Sequence, residues 1–174
     1  MKIISLPQLL QTYEYDCGAQ ALQAVLIYYG INVKGGDVMK MVNTSKRGTL
    51  TKGITDAAKK YGLKSVVRKM SISDIRMYID KKIPVLLQLQ AWTGKKNVDW
   101  KDNWTDSHFV VAIGYAKNRI IFEDPYSINR VFLTTEELQA RWHAKDDGEK
   151  LLHYGIAIFG KKPNFQRDLI VHMD

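Results

Sequence analysis

The sequence is poor in cysteine, with one thiol, Cys17, in 174 residues. A single cysteine excludes an intramolecular disulfide and the paired-cysteine zinc patterns. The four histidines, His108, His143, His153 and His172, never fall at i, i+3 or i+4 from one another. No metal site is therefore expected, and nothing calls for an organic cofactor. Long apolar runs are missing too. The longest, around Ala19 to Tyr29, is broken by Gln20 and Gln23 and falls short of the ~18 residues a membrane span needs. The opening MKIISLPQLLQTYEY lacks the long apolar stretch and small-residue cleavage site of a secretory signal. These absences point to a soluble, cytoplasmic protein without a membrane span. No repeat or low-complexity linker divides the chain, and its length suits one domain over residues 1–174.

What is present supports a folded domain. Apolar residues make up 45% of the chain, enough for a real core, and charged residues 25%. The net charge is +8. Its lysines and arginines come as scattered pairs, such as Lys46/Arg47, Lys59/Lys60 and Lys161/Lys162, with no block of five or more. Dispersed charge of this kind reads as a solvated surface, so no nucleic-acid partner is expected.

The pattern predicts helices over Gly18–Tyr29, Asp37–Val42, Thr51–Tyr61 and Ser73–Lys82, with Gly30 and Gly62 as stops and Asp37 as an N-cap. The character changes at Pro84. PVLLQLQAW, HFVVAIGYA, RIIFEDP, NRVFLT and HYGIAIFG read as strands, with one helix, TTEELQARW, capped by Thr134 and Glu137. Helices first and strands afterwards, with short strand connections, indicate an α+β fold with an antiparallel sheet.

The lone thiol stands at the mouth of the first helix. Unpaired N–H groups and the positive end of the dipole favour a thiolate there. Gly18 is expected to leave room for a substrate at the sulfur. The competing reading, a small buried residue, is equally open on position alone. A nucleophilic thiol needs a base. His108 begins an apolar strand directly after a polar loop, exposed enough to act and held well enough to aim. His143, His153 and His172 are weaker candidates. A base is oriented by a third group. A turn at Lys117-Asn118 brings the two ends of the following hairpin together, so Asp124 can lie beside His108. Glu123 points to the other sheet face by alternation. Acyl transfer also needs oxyanion donors. Gln11, six residues before Cys17, offers a side-chain amide, and the Cys17 N–H is a second donor.

Gln11 with Asp16-Cys17-Gly18, an Ala-rich helix ending in YYG, His108-Phe109-Val110-Val111 and Asp124-Pro125 together resemble the bacteriocin-processing peptidase family. This is the papain-like cysteine peptidase domain of double-glycine-leader peptide exporters. The later TTEELQARWH and HYGIAIFG are more similar to its stand-alone, peptidase-domain-only relatives. The resemblance spans roughly Leu9 to Phe159. It implies a papain-like fold, Cys17 as nucleophile, His108 as general base and then acid, Asp124 as orienter and Gln11 as oxyanion donor. It implies a peptide or protein substrate cut after small residues such as the Gly-Gly of a leader. It also implies a separately encoded transporter or precursor as partner, because exporters carry membrane and nucleotide-binding domains that these 174 residues do not hold.

The loop AWTGKKNVDWKDNWTDSH leads into His108 and carries Trp92, Trp100 and Trp104. It is either a rim for an extended peptide or a loop packed down by its indoles. Asp99, Asp102 and Asp106 on the same loop either draw in a basic substrate or are solvated charges. Two alternatives to hydrolysis stay open on the same site: a thioester-using acyltransferase and a non-hydrolytic peptide-binding module.

Overall fold

The computed structural model describes residues 1–173; Asp174, the last residue of the expected domain, lies outside the described residues. Helix α1 (Cys17–Tyr28) starts one residue earlier than its apolar pattern suggests, so the thiol sits on the first helical residue. Ala19, Leu22, Val25 and Leu26 are fully or nearly fully buried, as an all-round apolar helix requires. The helix stops where Gly30, at φ +77°, lets its own N–H and that of Ile31 turn back onto the carbonyls of Ile27 and Leu26. Helix α2 (Gly35–Met41) corrects the expected cap, because Lys34 holds that position and Asp37 lies in the first turn. Helix α3 (Thr51–Lys60) precedes Gly62 as expected. Helix α4 (Ile72–Asp80) begins earlier than expected, on a capping box between Ser71 and Asp74.

The core of the fold is a seven-stranded antiparallel sheet. Its strands are β1 (Lys2–Ile3), β2 (Lys64–Lys69), β3 (Val85–Gln90), β4 (Ser107–Ala116), β5 (Arg119–Glu123), β6 (Val131–Thr134) and β9 (Tyr154–Phe159). The order is β2-β9-β3-β4-β5-β6, with β1 paired to the far end of β4. Strand β2 was not anticipated. It comes from the helical half of the chain and its KSVVRK sequence sets two valines between charged ends, which suits a half-exposed edge strand. Helix α5 (Thr135–Arg141) carries the expected Thr134–Glu137 capping box. A small second sheet, β7 (His143–Asp146) and β8 (Glu149–Leu152), was also missed. Its turn residues Asp147 and Gly148 both have positive φ, the signature of a tight Asp-Gly hairpin.

One irregularity in β4 positions the site. Val111 pairs with Glu123 and Ala112 with Phe122, but Gly114 pairs with Ile121, leaving Ile113 as an extra residue. The bulge lies where β1 crosses onto β4. Ile4 donates its N–H to the Ile113 carbonyl at 2.7 Å. A Cβ on Gly114 would come within 2.5 Å of the Lys2 carbonyl oxygen, so only glycine lets the two backbones approach. Below the bulge the pairing places His108, Val110 and Ala112 on the sheet face of Phe122, and of Asp124 two residues on.

Candidate active site

The loop before α1 is shaped by Asp16. Its carboxylate, fully buried, makes no cap bond to the helix. It accepts the backbone N–H groups of Thr12 and Tyr13, both at 3.1 Å, and the Gln20 amide at 3.2 Å. Asp16 thus folds residues 11–15 back over the start of α1 and leaves the first-turn N–H groups facing Cys17 without a side-chain cap. The thiol itself is 8% exposed. Gly18 has a different role from the one expected of it. A Cβ there would meet Thr49 Cβ at 2.8 Å and Phe109 Cδ2 at 2.9 Å. Its missing side chain admits the packing of α1 against β4, not a substrate.

His108 is buried beside this helix end. Its Nε2 meets Asp124 Oδ1 at 2.6 Å. Asp124 also accepts the Tyr126 N–H on Oδ1 and the Trp92 indole N–H on Oδ2, each at 2.8 Å. Burial alone would push the His108 pKa down, but hydrogen bonds to Asp124 and Cys17 outweigh it and raise the value to about 9. The imidazole thus stands between the Asp124 carboxylate and Cys17, both of which favour its protonated form. Glu123 points to the opposite face, as alternation predicts, where Arg130 Nε donates to it at 2.7 Å.

Gln11 comes to the same region from the other side. Its backbone N–H donates to the Pro125 carbonyl at 2.8 Å, tying it to the residue after Asp124. Its side-chain amide donates one N–H to the Tyr13 carbonyl at 3.0 Å and keeps a second, while its Oε1 is buried without a partner. The weaker histidines lie elsewhere. His143 Nε2 bonds the Asn103 carbonyl at 2.6 Å, and His153 sits at φ +58° against Trp142. Among the described residues no group of three His, Cys, Asp or Glu side chains is arranged to hold a metal ion.

A cleft of about 190 Å³ opens beside Cys17, walled by Tyr15, Thr49, Gln88 and Phe109. Lys46, Arg47 and Lys145 rim it, against Glu14 and Asp146. The tryptophan loop divides its roles. Trp100 lies under the Arg141 guanidinium at 3.8 Å, and Trp104 packs on His143 and under Lys150. Both are anchors, and Asp106 is spent inside the loop on Asn103 and Lys95. Trp92 alone of the three reaches the site. Sequence reasoning did not find Tyr126; it placed Trp92 on a candidate substrate rim and Asp16 in the motif around the thiol, but not the contact of the indole with Asp124 or the clasp Asp16 makes on its loop.

Residues 5–145 match the Peptidase C39 family. The colicin V secretion/processing ATP-binding protein CvaB of Escherichia coli is 25% identical over 119 residues, 68% of this chain and 14% of that protein. The chain thus spans about a seventh of the length of this curated relative. The peptidase domain of Streptococcus ComA, a bi-functional ABC transporter involved in a quorum-sensing pathway, shares the fold with a TM-score of 0.69 at 24% identity, covering 91% of this chain and 99% of that domain. A double glycine motif protease from an AMS/PCAT transporter, solved with a leader peptide, gives 0.66 at 20% identity, covering 92% and 95%. The α+β architecture is the papain-like one these domains share, and the chain belongs to the Peptidase C39 family of cysteine peptidases.

Proposed function

We propose that this domain hydrolyses peptide bonds through Cys17, His108 and Asp124, with Gln11 and the Cys17 N–H as oxyanion donors. The observation that carries the reading is the buried 2.6 Å contact between His108 and Asp124, beside a thiol on the first residue of a helix. The Cys17 sulfur attacks the carbonyl carbon of the scissile bond, and the carbonyl oxygen takes the negative charge. As the intermediate collapses, His108 hands its proton to the leaving amine nitrogen, and an acyl thioester remains on Cys17. His108, now neutral, takes a proton from water. The hydroxide adds to the thioester carbon, the carboxylic acid leaves, and the thiolate–imidazolium pair is restored. The substrate is a peptide cut after small residues such as Gly-Gly. The cleft beside Cys17 is small, about 190 Å³, which supports small side chains before the bond. A transporter or a peptide precursor is the partner, the setting is cytoplasmic, and residues 1–174 act as one domain.

Alkylation of Cys17 by iodoacetamide, measured against pH, tests the pair directly. Rapid reaction well below pH 7 that slows in His108→Ala supports it. A thiol that reacts alike in both proteins, or only after unfolding, removes the catalytic reading and leaves a binding module. Added amine acceptors in the peptide assay distinguish hydrolysis from acyl transfer by the product formed.

A further inference from the structure

We propose that Trp92 is a positioning residue for the peptidase reaction, holding the outer oxygen of Asp124 so that the inner one stays on His108. The inference rests on the assignment of Cys17, His108 and Asp124 made above. Asp124 Oδ1 receives two hydrogen bonds, from His108 and the Tyr126 N–H. Oδ2 receives one protein donor, the Trp92 indole N–H at 2.8 Å. The Asp124 side chain is 2% exposed, so water is a poor substitute. Without the indole, Oδ2 is a buried, unpaired, charged oxygen, and the carboxylate gains by turning away from the imidazole.

Trp92 is built for this contact. Its backbone lies at φ +56°, in the left-handed region that bulky residues seldom adopt. Ala91 before it is still bonded to the sheet side of the loop, through Asp106. Trp100 and Trp104 pin the rest of the loop to α5, β7 and β8, so the strained residue is held from both sides. The indole stacks on Tyr126 at 4.7 Å between centroids, and Tyr126 meets His108 edge-on at 6.4 Å. Trp92 is 47% exposed and does not line the Cys17 cleft, so its place beside the site comes through Asp124. The charged groups around the pair are few. Arg141 of α5 shares a pocket of about 130 Å³ with Trp92 and Asp124, and Arg130 is occupied by Glu123 on the other face.

The test compares Trp92→Phe, which keeps a stacking ring and removes the donor, with Asp124→Asn and the double variant. Cleavage of a peptide with Gly-Gly before the scissile bond is followed alongside Cys17 alkylation by iodoacetamide, which needs no substrate. Trp92→Phe is expected to lower kcat about tenfold with KM changed less than about twofold. The His108 imidazole, titrated by nitrogen NMR, is expected to lose its proton at lower pH than in the parent. In the Asp124→Asn background the added cost of Trp92→Phe falls below about twofold, because the residue it acts through is already altered. A rise in KM alone, an unmoved His108 titration, or an undiminished cost in the double variant each overturns the inference. If Asp124→Asn by itself leaves cleavage and alkylation unchanged, the site assignment has failed, not merely the role of Trp92.

Discussion

His108 and Asp124 share one face of the sheet because Ile113 is an extra residue in β4. With an unbroken ladder from the Lys117-Asn118 turn, residue 111 would stand opposite 124, and His108 would project from the other face. The bulge moves Val111 opposite Glu123 and changes the phase of everything below it. Asp124→Asn tests the contact so formed. On the proposed mechanism kcat falls by about 10²- to 10⁴-fold, in the range general acid–base catalysis supplies. Steady-state cleavage with circular dichroism on the same sample checks it. An intact fold with full activity would show that the contact is structural.

The reaction needs His108 protonated when the amine leaves. With its pKa raised to about 9, cleavage is expected to hold through neutral pH and fall as pH rises through that value. The same shift has a stability consequence. The folded pKa lies above the ordinary value of about 6.5, so the pair's contribution is full below that value and is lost as pH climbs through about 9. Denaturant midpoints measured between pH 6 and 10 should decline in the parent more than in His108→Ala. Parallel curves for the two proteins count against a raised value.

Asp16 and Gln11 should separate by their effects on stability. Asp16→Ala strips two backbone N–H groups and the Gln20 amide of a buried acceptor, at about 1–3 kcal/mol for each group left unsatisfied. Unfolding temperature and kcat should both fall. Gln11→Ala, at a half-buried position, is expected to lower kcat by about 10²- to 10³-fold through loss of an oxyanion donor. Its unfolding temperature should stay near that of the parent. A Gln11→Ala variant that unfolds early but turns over normally would assign the residue to the loop instead.

Gly18→Ala places a methyl group against Thr49 and Phe109. Overpacking of this kind costs about 1–3 kcal/mol. Because the helix must shift to relieve it, Cys17 moves relative to His108. The expected result is a lower unfolding temperature together with slower Cys17 alkylation at pH 6. If the glycine instead serves the substrate, alkylation by a small reagent stays fast and only peptide cleavage suffers.

Much of this architecture is legible in the sequence by itself. The all-round apolar run of α1, the apolar spacing of α3 and the glycine stops after each make both helices legible, because helix pattern and capping are local. Cys17, His108 and Asp124 could be named as candidates because each sits at the end of an element, where a side chain is presented, and Gln11, inside the loop before α1, by its spacing from Cys17. The alternation along RIIFED also separates Asp124 from Glu123. Strands β1 and β2 were missed because short, charged segments carry no apolar run and pair with distant partners, and β7 and β8 because HAKD and EKLL are too short and polar to read as strands despite the Asp-Gly turn between them. Three things were decided only in tertiary structure. The bulge at Ile113 depends on the close crossing of β1 over Gly114. The turning of Asp16 away from its helix depends on the backbone of a preceding loop. The carboxylate of Asp124 is held by an indole 32 residues away. Each is a contact between parts of the chain that no local pattern links, and together they set the geometry of the His108–Asp124 pair beside Cys17.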